Sequence, residues 1–392
     1  MAGTMITDQV YYVGMDDRTI DLFESQYKVP EGVSYNSYVI VDEKTAVMDT
    51  VDGRATKGWL ENVGEVLGDR TPDLLVISHM EPDHSGSIQA LAERYPQMKL
   101  VGNAKTFAML DQFFVMDLTD RKVVVKEGDR ISLGKRSLEF FMAPMVHWPE
   151  VMVAYEPVGK ILFSADGFGK FGALGEEKLQ KTAGPDWADE ARRYYFNIVG
   201  KYGAPVQALL KKAAKLDIAA ICPLHGPVLT KDLGYYIGLY DTWSSYRAEE
   251  EGVVVAYASI HGHTAAAAKE LAKRLEEKGN KTVEVYDLSR CDMSEVVTAA
   301  FRYDKLVLAS ATYDGGLFPP MEDLLHHLKA KAFQGRRVGL VENGSWGPLA
   351  AKAMQKLLEE MKDIQVCEKT VTIRSALKPQ DLAGLEELAE RL

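Results

Sequence analysis

Apolar residues recur along the chain in two rhythms, and the rhythm changes near residue 250. In the C-terminal stretch, short apolar runs alternate with segments whose apolar positions repeat at helical spacing. The runs Val253–Ala258, Thr282–Tyr286, Lys305–Ala311, Arg337–Glu342 and Gln365–Ile373 predict five strands. Helices are predicted between them, one opening at Thr264 and stopping near Gly279, and a last one from Pro379 onward. Strands alternating with helices predict a parallel, doubly wound sheet, whose ligands bind beyond the carboxyl ends of the strands.

The N-terminal stretch is less regular. Residues 34–52 predict two strands about the turn Asp42-Glu43-Lys44-Thr45. A helix from Arg54 to Leu67, a buried strand Leu74–Ser78 and two further helices follow. Short strands with glycine-rich loops run from Val123 to Ser164. Helices return at Trp187–Tyr202 and Pro205–Leu216, before a strand Ile218–Ile221. Strands and helices thus fall in two blocks, as in a two-sheet sandwich flanked by helices. The charged run Arg247-Ala248-Glu249-Glu250-Glu251-Gly252 separates the two styles and predicts domains 1–250 and 251–392. No internal repeat is visible.

Length and charge narrow the function. The 392 residues suffice for two or three domains. With 46 basic against 57 acidic residues, the formal charge of −11 disfavours nucleic acid and anionic lipid as partners. No apolar run approaches the ~20 residues of a membrane span, and the first thirty residues are too charged for a signal peptide. A cytoplasmic protein is expected. Cys222, Cys291 and Cys367 are too few and too far apart for a disulfide framework or a four-cysteine iron centre.

Candidate chemistry gathers at strand ends. The strand Leu74–Ser78 leads into His79-Met80-Glu81-Pro82-Asp83-His84. In an extended segment His79, Glu81 and Asp83 share a face, while His84 turns the other way as a helix begins. Four metal-type side chains aimed in two directions suit a pair of cations, and without cations they would repel and desolvate one another. His147, Asp166 and His225 each follow a predicted strand, which brings the set to four histidines and three carboxylates. His326 and His327 diverge on a predicted helix and are read as structural.

The strand-end pattern H-x-E-x-D-H followed by His, Asp and His resembles the metallo-β-lactamase fold, in the version found in the flavodiiron proteins, or A-type flavoproteins. Hydrolases of that fold usually carry His where Glu81 stands and bind zinc. The carboxylate hardens the ligand set and favours iron. The resemblance implies one iron on His79, Glu81 and His147, another on Asp83, His84 and His225, and Asp166 bridging. His84 is the ligand that turns away in some members. Tyr195 is similar to a tyrosine the family keeps beside the irons.

The C-terminal half resembles flavodoxin. Ser259-Ile260-His261-Gly262-His263-Thr264, at a helix N-terminus, offers backbone N–H groups to a single phosphate, and no G-x-G-x-x-G is present for a dinucleotide. Thr312-Tyr313-Asp314-Gly315-Gly316 and Asn343-Gly344-Ser345-Trp346-Gly347 place an aromatic residue on each of two further loops, suited to the faces of an isoalloxazine. His263 stands where the family usually has Asn. The resemblance covers the chain from about Tyr11 to its C-terminus. It implies FMN and two irons as cofactors, and dioxygen reduced to water or nitric oxide reduced to nitrous oxide. It further implies rubredoxin as a separate electron donor, and a head-to-tail homodimer or a tetramer built from it. A zinc hydrolase of the metallo-β-lactamase fold fused to a flavodoxin-like module is the alternative reading.

Overall fold

The computed structural model describes residues 3–180 and 182–392. They form two compact units. One comprises the residues up to Tyr195 together with Ala204–Asp241, the other Phe196–Gly203 together with Thr242–Leu392. The charged run near 250 does not mark the division. The strand Glu250–Ala258 already begins within it, with the Glu249 N–H donating to Arg302 O and the Glu250 carboxylate paired with Arg302 at 2.7 Å.

The first unit holds two seven-stranded sheets. In one, the antiparallel strands Val10–Tyr12, Tyr38–Val41 and Thr45–Met48 continue into the parallel strands Leu74–Val76 and Lys99–Gly102. Parallel neighbours need crossovers, and Thr56–Leu67 provides one, burying Trp59, Val63 and Leu67 along a single stripe. In the other sheet, Ser137–Met142, Met152–Glu156 and Ile161–Phe163 run antiparallel, and Ala220–Cys222 pairs parallel with Ile161–Phe163. Alternation fixes which side chains meet between the sheets. Ile161, Phe163, Ala220 and Cys222 join Tyr38, Ile40, Met48 and Val76 in the core, while Leu162 and Ile221 face outward. The expected sandwich is present, and the short strands Thr4–Thr7, Leu179–Gln180 and Val228–Leu229 extend it beyond what the apolar pattern predicts.

The second unit is a parallel sheet in the order Val283–Asp287, Glu250–Ala258, Tyr303–Tyr313, Arg337–Asn343, Gln365–Ile373. All five expected strands are present, in the flavodoxin order with the first strand second in the sheet. The helix His263–Glu277 packs Ala267, Ala268, Leu271 and Leu275 on this sheet's core. The segment Phe196–Gly203 includes part of a π-helical turn, Tyr195–Val199. Phe196 stacks on Phe301 (4.4 Å, 11°), and Asn197 Nδ2 donates to Ser294 O and Thr298 Oγ1. Among the described residues, no helix is long and apolar enough to cross a membrane.

Candidate functional site

Seven side chains converge at one rim of the sandwich. His79, Glu81, His147 and Asp166 form one group and Asp83, His84 and His225 a second, the ligand atoms of each group lying within 4.8 Å of one another. Their placement follows from local structure. Pro82 opens the short helix Pro82–Ser85, and Glu81 is its N-cap. Asp83 is therefore helical and does not share a strand face with His79 and Glu81, which corrects the expectation drawn from an extended segment. The helical turn carries Asp83 to the side of His84, so both face the second group.

Asp166 lies between the groups. Its Oδ2 is 3.4 Å from His79 Nε2 and 3.1 Å from His147 Nε2, and its Oδ1 is 3.3 Å from His84 Nε2. Glu81 Oε2 lies 3.0 Å from His147 Nε2 and 3.2 Å from His79 Nε2. In the second group, Asp83 Oδ2 is 3.1 Å from His225 Nε2, and the Nε2 atoms of His84 and His225 are 3.0 Å apart. His84 is turned into the cluster.

The residues fit a pair of hard cations. Among the described residues, the buried carboxylate oxygens of Asp83 and Asp166 accept no hydrogen bond, although imidazole nitrogens stand 3.1–3.4 Å away. Such atoms are aimed at common points rather than at one another. Without cations, protons take their place. Burial disfavours a charged His79 or His147, yet the carboxylates around them win. His79 is held well above its ordinary pKa by Asp166, Glu150 and Glu81, and His147 is pushed up to about 9 by Asp166 and Glu81. Burial likewise opposes ionisation of Asp166, but His79, His147 and His84 hold it well below the usual carboxylate range.

The far nitrogens of the histidines are tied down. His79 Nδ1 lies 2.7 Å from Glu150 Oε1, which also accepts the Met80 N–H at 2.8 Å. His225 Nδ1 donates to Ser34 O at 2.7 Å. Asn36 Nδ2 donates to Pro223 O and Gly226 O, clamping the loop that carries His225. Such partners fix the tautomer and leave Nε2 as the ligand atom. Sequence reasoning missed Glu150, although it stands three residues after His147. It missed Ser34 and Asn36 because their partners lie roughly 190 positions away.

Tyr195, the expected tyrosine, and its neighbour Tyr194 face different partners. The Tyr195 ring packs on Tyr240 at 5.1 Å. Successive helical residues point about 100° apart, and it is Tyr194 that packs on His225 (5.5 Å). The Tyr194 hydroxyl is buried with no hydrogen-bond partner among the described residues. Burial first, then Asp166, Glu81 and Asp83, raises its pKa well above the ordinary value. Phe23 closes another side of His225 at 5.3 Å.

At the carboxyl rim of the second unit, Gly262 has φ +88° and is the N-cap of His263–Glu277. Having no side chain, it leaves the first-turn N–H groups open to an anion. Ser259 Oγ accepts the Gly262 N–H at 3.1 Å, Ile260, His261 and His263 are exposed, and Thr264 is buried. The next loop is tighter than its glycines suggest. Asp314 and Gly315, both left-handed, turn the strand Tyr303–Tyr313 back into Gly316–Leu317 as a hairpin, the conformation an Asp-Gly pair favours. Tyr313 is half exposed and Trp346 is 94% exposed, so both present rings at the rim. Thr312 and Asn343 act behind it. Thr312 Oγ1 accepts the Leu349 and Ala350 N–H groups, and Asn343 exchanges two hydrogen bonds with Ser375. Ser345 Oγ also meets Ser375 Oγ, and Gly344 and Gly347 complete the turn, Gly344 close against Pro348. Ser375 brings a fourth loop to the rim that the sequence reading did not include.

Residues 33–226 match the model of the ODP family beta lactamase, and residues 255–387 match flavodoxin. A nitric oxide reductase of Moorella thermoacetica is 29% identical over 391 residues, spanning 99% of this chain and 97% of its own. The solved structure of rubredoxin oxygen:oxidoreductase from Desulfovibrio gigas superposes with a TM-score of 0.93 at 27% identity, covering 99% of this chain and 97% of that one. The flavodiiron protein of Giardia intestinalis shares the fold, with a TM-score of 0.92 at 24% identity over 100% of this chain and 97% of that chain.

Proposed function

Because the chain belongs to the flavodiiron proteins and is an oxidoreductase with FMN and non-haem diiron as cofactors, we propose that it reduces dioxygen to water or nitric oxide to nitrous oxide. The observation that carries this reading is the division of Asp166 between the two ligand groups, one oxygen to each. His79, Glu81 and His147 would hold one iron and Asp83, His84 and His225 the other, with Asp166 between them. The zinc-hydrolase alternative is not favoured, since the relatives are named as oxidoreductases.

Dioxygen requires four electrons and four protons to become two waters, and two nitric oxide molecules require two of each to become nitrous oxide and one water. When bound, the irons supply redox change and Lewis acidity, and the flavin supplies electrons to them. The chain's own residues do the rest. Glu150 and Ser34 O hold His79 and His225 in one orientation. The rings of Phe23 and Tyr35 beside His225 keep water from it. The Tyr194 Oη, neutral and buried beside the carboxylates, is the hydroxyl placed to donate a hydrogen bond to a substrate or product oxygen. On the flavin side, the Ser259–Thr264 loop would hold the phosphate, and the exposed rings of Tyr313 and Trp346 would pack against the ring system.

Rubredoxin is the proposed donor and a head-to-tail homodimer the proposed assembly, in a cytoplasmic setting. The 94% exposed Trp346 is an apolar surface that a partner subunit would cover. Metal analysis should find iron near two per chain, and anaerobic stopped-flow of the reduced protein with each gas should show reoxidation. Zinc in place of iron, or inertness to both gases, would refute the reading. Mixed dimers of metal-site and flavin-site variants should regain part of the activity that each lacks alone.

A further inference from the structure

Outside the metal cluster, an apolar cleft of about 170 Å³ opens on the outward face of the second sheet of the sandwich. Its floor is Leu162 and Ile221, the residues that alternate with core-facing Phe163 and Cys222. Leu210, Ala213, Ile237 and Phe168 line it further. Every side chain lining it is aliphatic or aromatic. Water needs polar partners to occupy such a space, and an apolar cavity of about 150 Å³ stays dry and takes up xenon. Pockets for organic ligands are usually larger, about 300–1,000 Å³, and carry a few polar groups to orient the ligand. This cleft has neither property.

The cleft is lined by parts of the metal cluster's own scaffold. The strands of its floor run on into the loops bearing Asp166 and His225. Phe168 belongs to the Asp166 loop, where the Gly169 N–H returns to Asp166 O at 3.1 Å, and its ring stacks on Tyr240 at 4.2 Å. Gly169, the next residue, is where a Cβ would come within 3.2 Å of Tyr194 and 3.5 Å of His225. A single residue of backbone, Gly169, therefore lies between Phe168, which lines the cleft, and His225 of the second ligand group.

We propose that this cleft is a binding site for small apolar gas molecules, which concentrates dioxygen or nitric oxide beside the metal centre and supplies it past Phe168. The proposal rests on the reading that the chain reduces such a gas. A diatomic gas needs no hydrogen bond, so the absence of polar groups that keeps water out does not hinder it.

The test uses the full-length protein loaded with its cofactors. Crystals pressurised with xenon should show xenon between Leu162, Ile221 and Phe168. Ala213→Phe should fill the cleft, remove the xenon and lower the second-order rate of reoxidation by gas several-fold. Flavin reduction by dithionite and iron content should stay unchanged. Ala214→Trp, at an exposed position on the mouth, should slow reoxidation in the same direction without crowding the interior. Absence of xenon from the wild-type cleft would overturn the proposal, as would wild-type reoxidation rates in folded, iron-loaded forms of both variants. A change in oligomeric state on Ala214→Trp would assign the cleft to a second copy of the chain instead. Wild-type protein inert to both gases would overturn the functional reading, and the supply role with it. An active wild type with unaffected variants would overturn the cleft alone.

Discussion

Glu150→Gln isolates what one buried carboxylate does for a metal ligand. Glu150 is fully buried, and its Oε1 serves both His79 Nδ1 and the Met80 N–H. Burial alone would push its pKa up, but the His79 imidazole holds it below the ordinary value, so the group is a carboxylate. Glutamine keeps the shape and one acceptor oxygen while removing the charge. The backbone should not move, because Asn103 Nδ2 independently holds Glu150 O at 2.6 Å. A hydrogen bond to a charged group contributes about 1.5–3 kcal/mol and a neutral one about 0.5–1.5, so the change costs about 1–1.5 kcal/mol. At about 1.4 kcal/mol per factor of ten, ferrous iron should bind about tenfold more weakly at the His79 position. Glu150→Ala, which removes the partner altogether, should approach the hundredfold end of the usual ~10–100-fold loss. Anaerobic competition of the metal-free protein with a chelator measures both. A glutamine variant within about twofold of wild type, a difference of about 0.4 kcal/mol, would refute the argument that this carboxylate fixes the ligand.

Asp166→Asn should lose iron while retaining FMN, as read by metal analysis and flavin absorbance, because the amide removes the negative charge both ligand groups share and turns one of the two oxygens into a non-ligating NH2. Tyr194→Phe should keep iron and FMN but slow turnover, whereas Tyr195→Phe should leave turnover closer to wild type. The metal-free protein should lose stability as pH rises from about 6.5 to about 9. Burial opposes a charged His147, but Asp166 and Glu81 push its pKa up to about 9, above the unfolded value near 6.5. The stabilisation is thus complete below the unfolded value and disappears as pH passes the folded one. A melting temperature that is flat or rising across that window would contradict this. NADH alone should reduce the protein slowly, and rubredoxin with its reductase should accelerate gas consumption. Equal rates without them would point to a direct nicotinamide site.

The sequence made legible whatever depends on strand ends. His79, His147, Asp166 and His225 follow apolar runs, and a strand end has one rim to which it can deliver a side chain. It was less informative where a residue's direction depends on helical phase. Asp83 was placed on a strand face until Pro82 began a helix, and Tyr194 and Tyr195 cannot be told apart without knowing which side of the turn faces inward. Long-range partners were invisible for another reason. Ser34 meets His225, and Thr312 meets the N–H groups of Leu349 and Ala350, with no local pattern to announce either pair. The Asp314-Gly315 hairpin was legible in principle, since that dipeptide favours a two-residue turn. Read only as a loop carrying Tyr313, the segment gives no account of that turn.

The eight residues Phe196–Gly203 matter for how such a protein could be recombined. They are encoded upstream, between Tyr195 and Ala204, yet they belong to the downstream unit, where Phe196 lies flat on Phe301 and Asn197 bonds to Ser294 and Thr298. The downstream module therefore arrives with a piece missing, and any gene fusion that exchanges it keeps the recipient's tongue and takes the donor's socket. A replacement flavodoxin will seat well only if it offers a flat aromatic where Phe301 stands and a carbonyl and hydroxyl where Ser294 and Thr298 stand. Otherwise the tongue must be transplanted with it. Interchange of the two halves between relatives is thus constrained at a site far in sequence from the apparent junction.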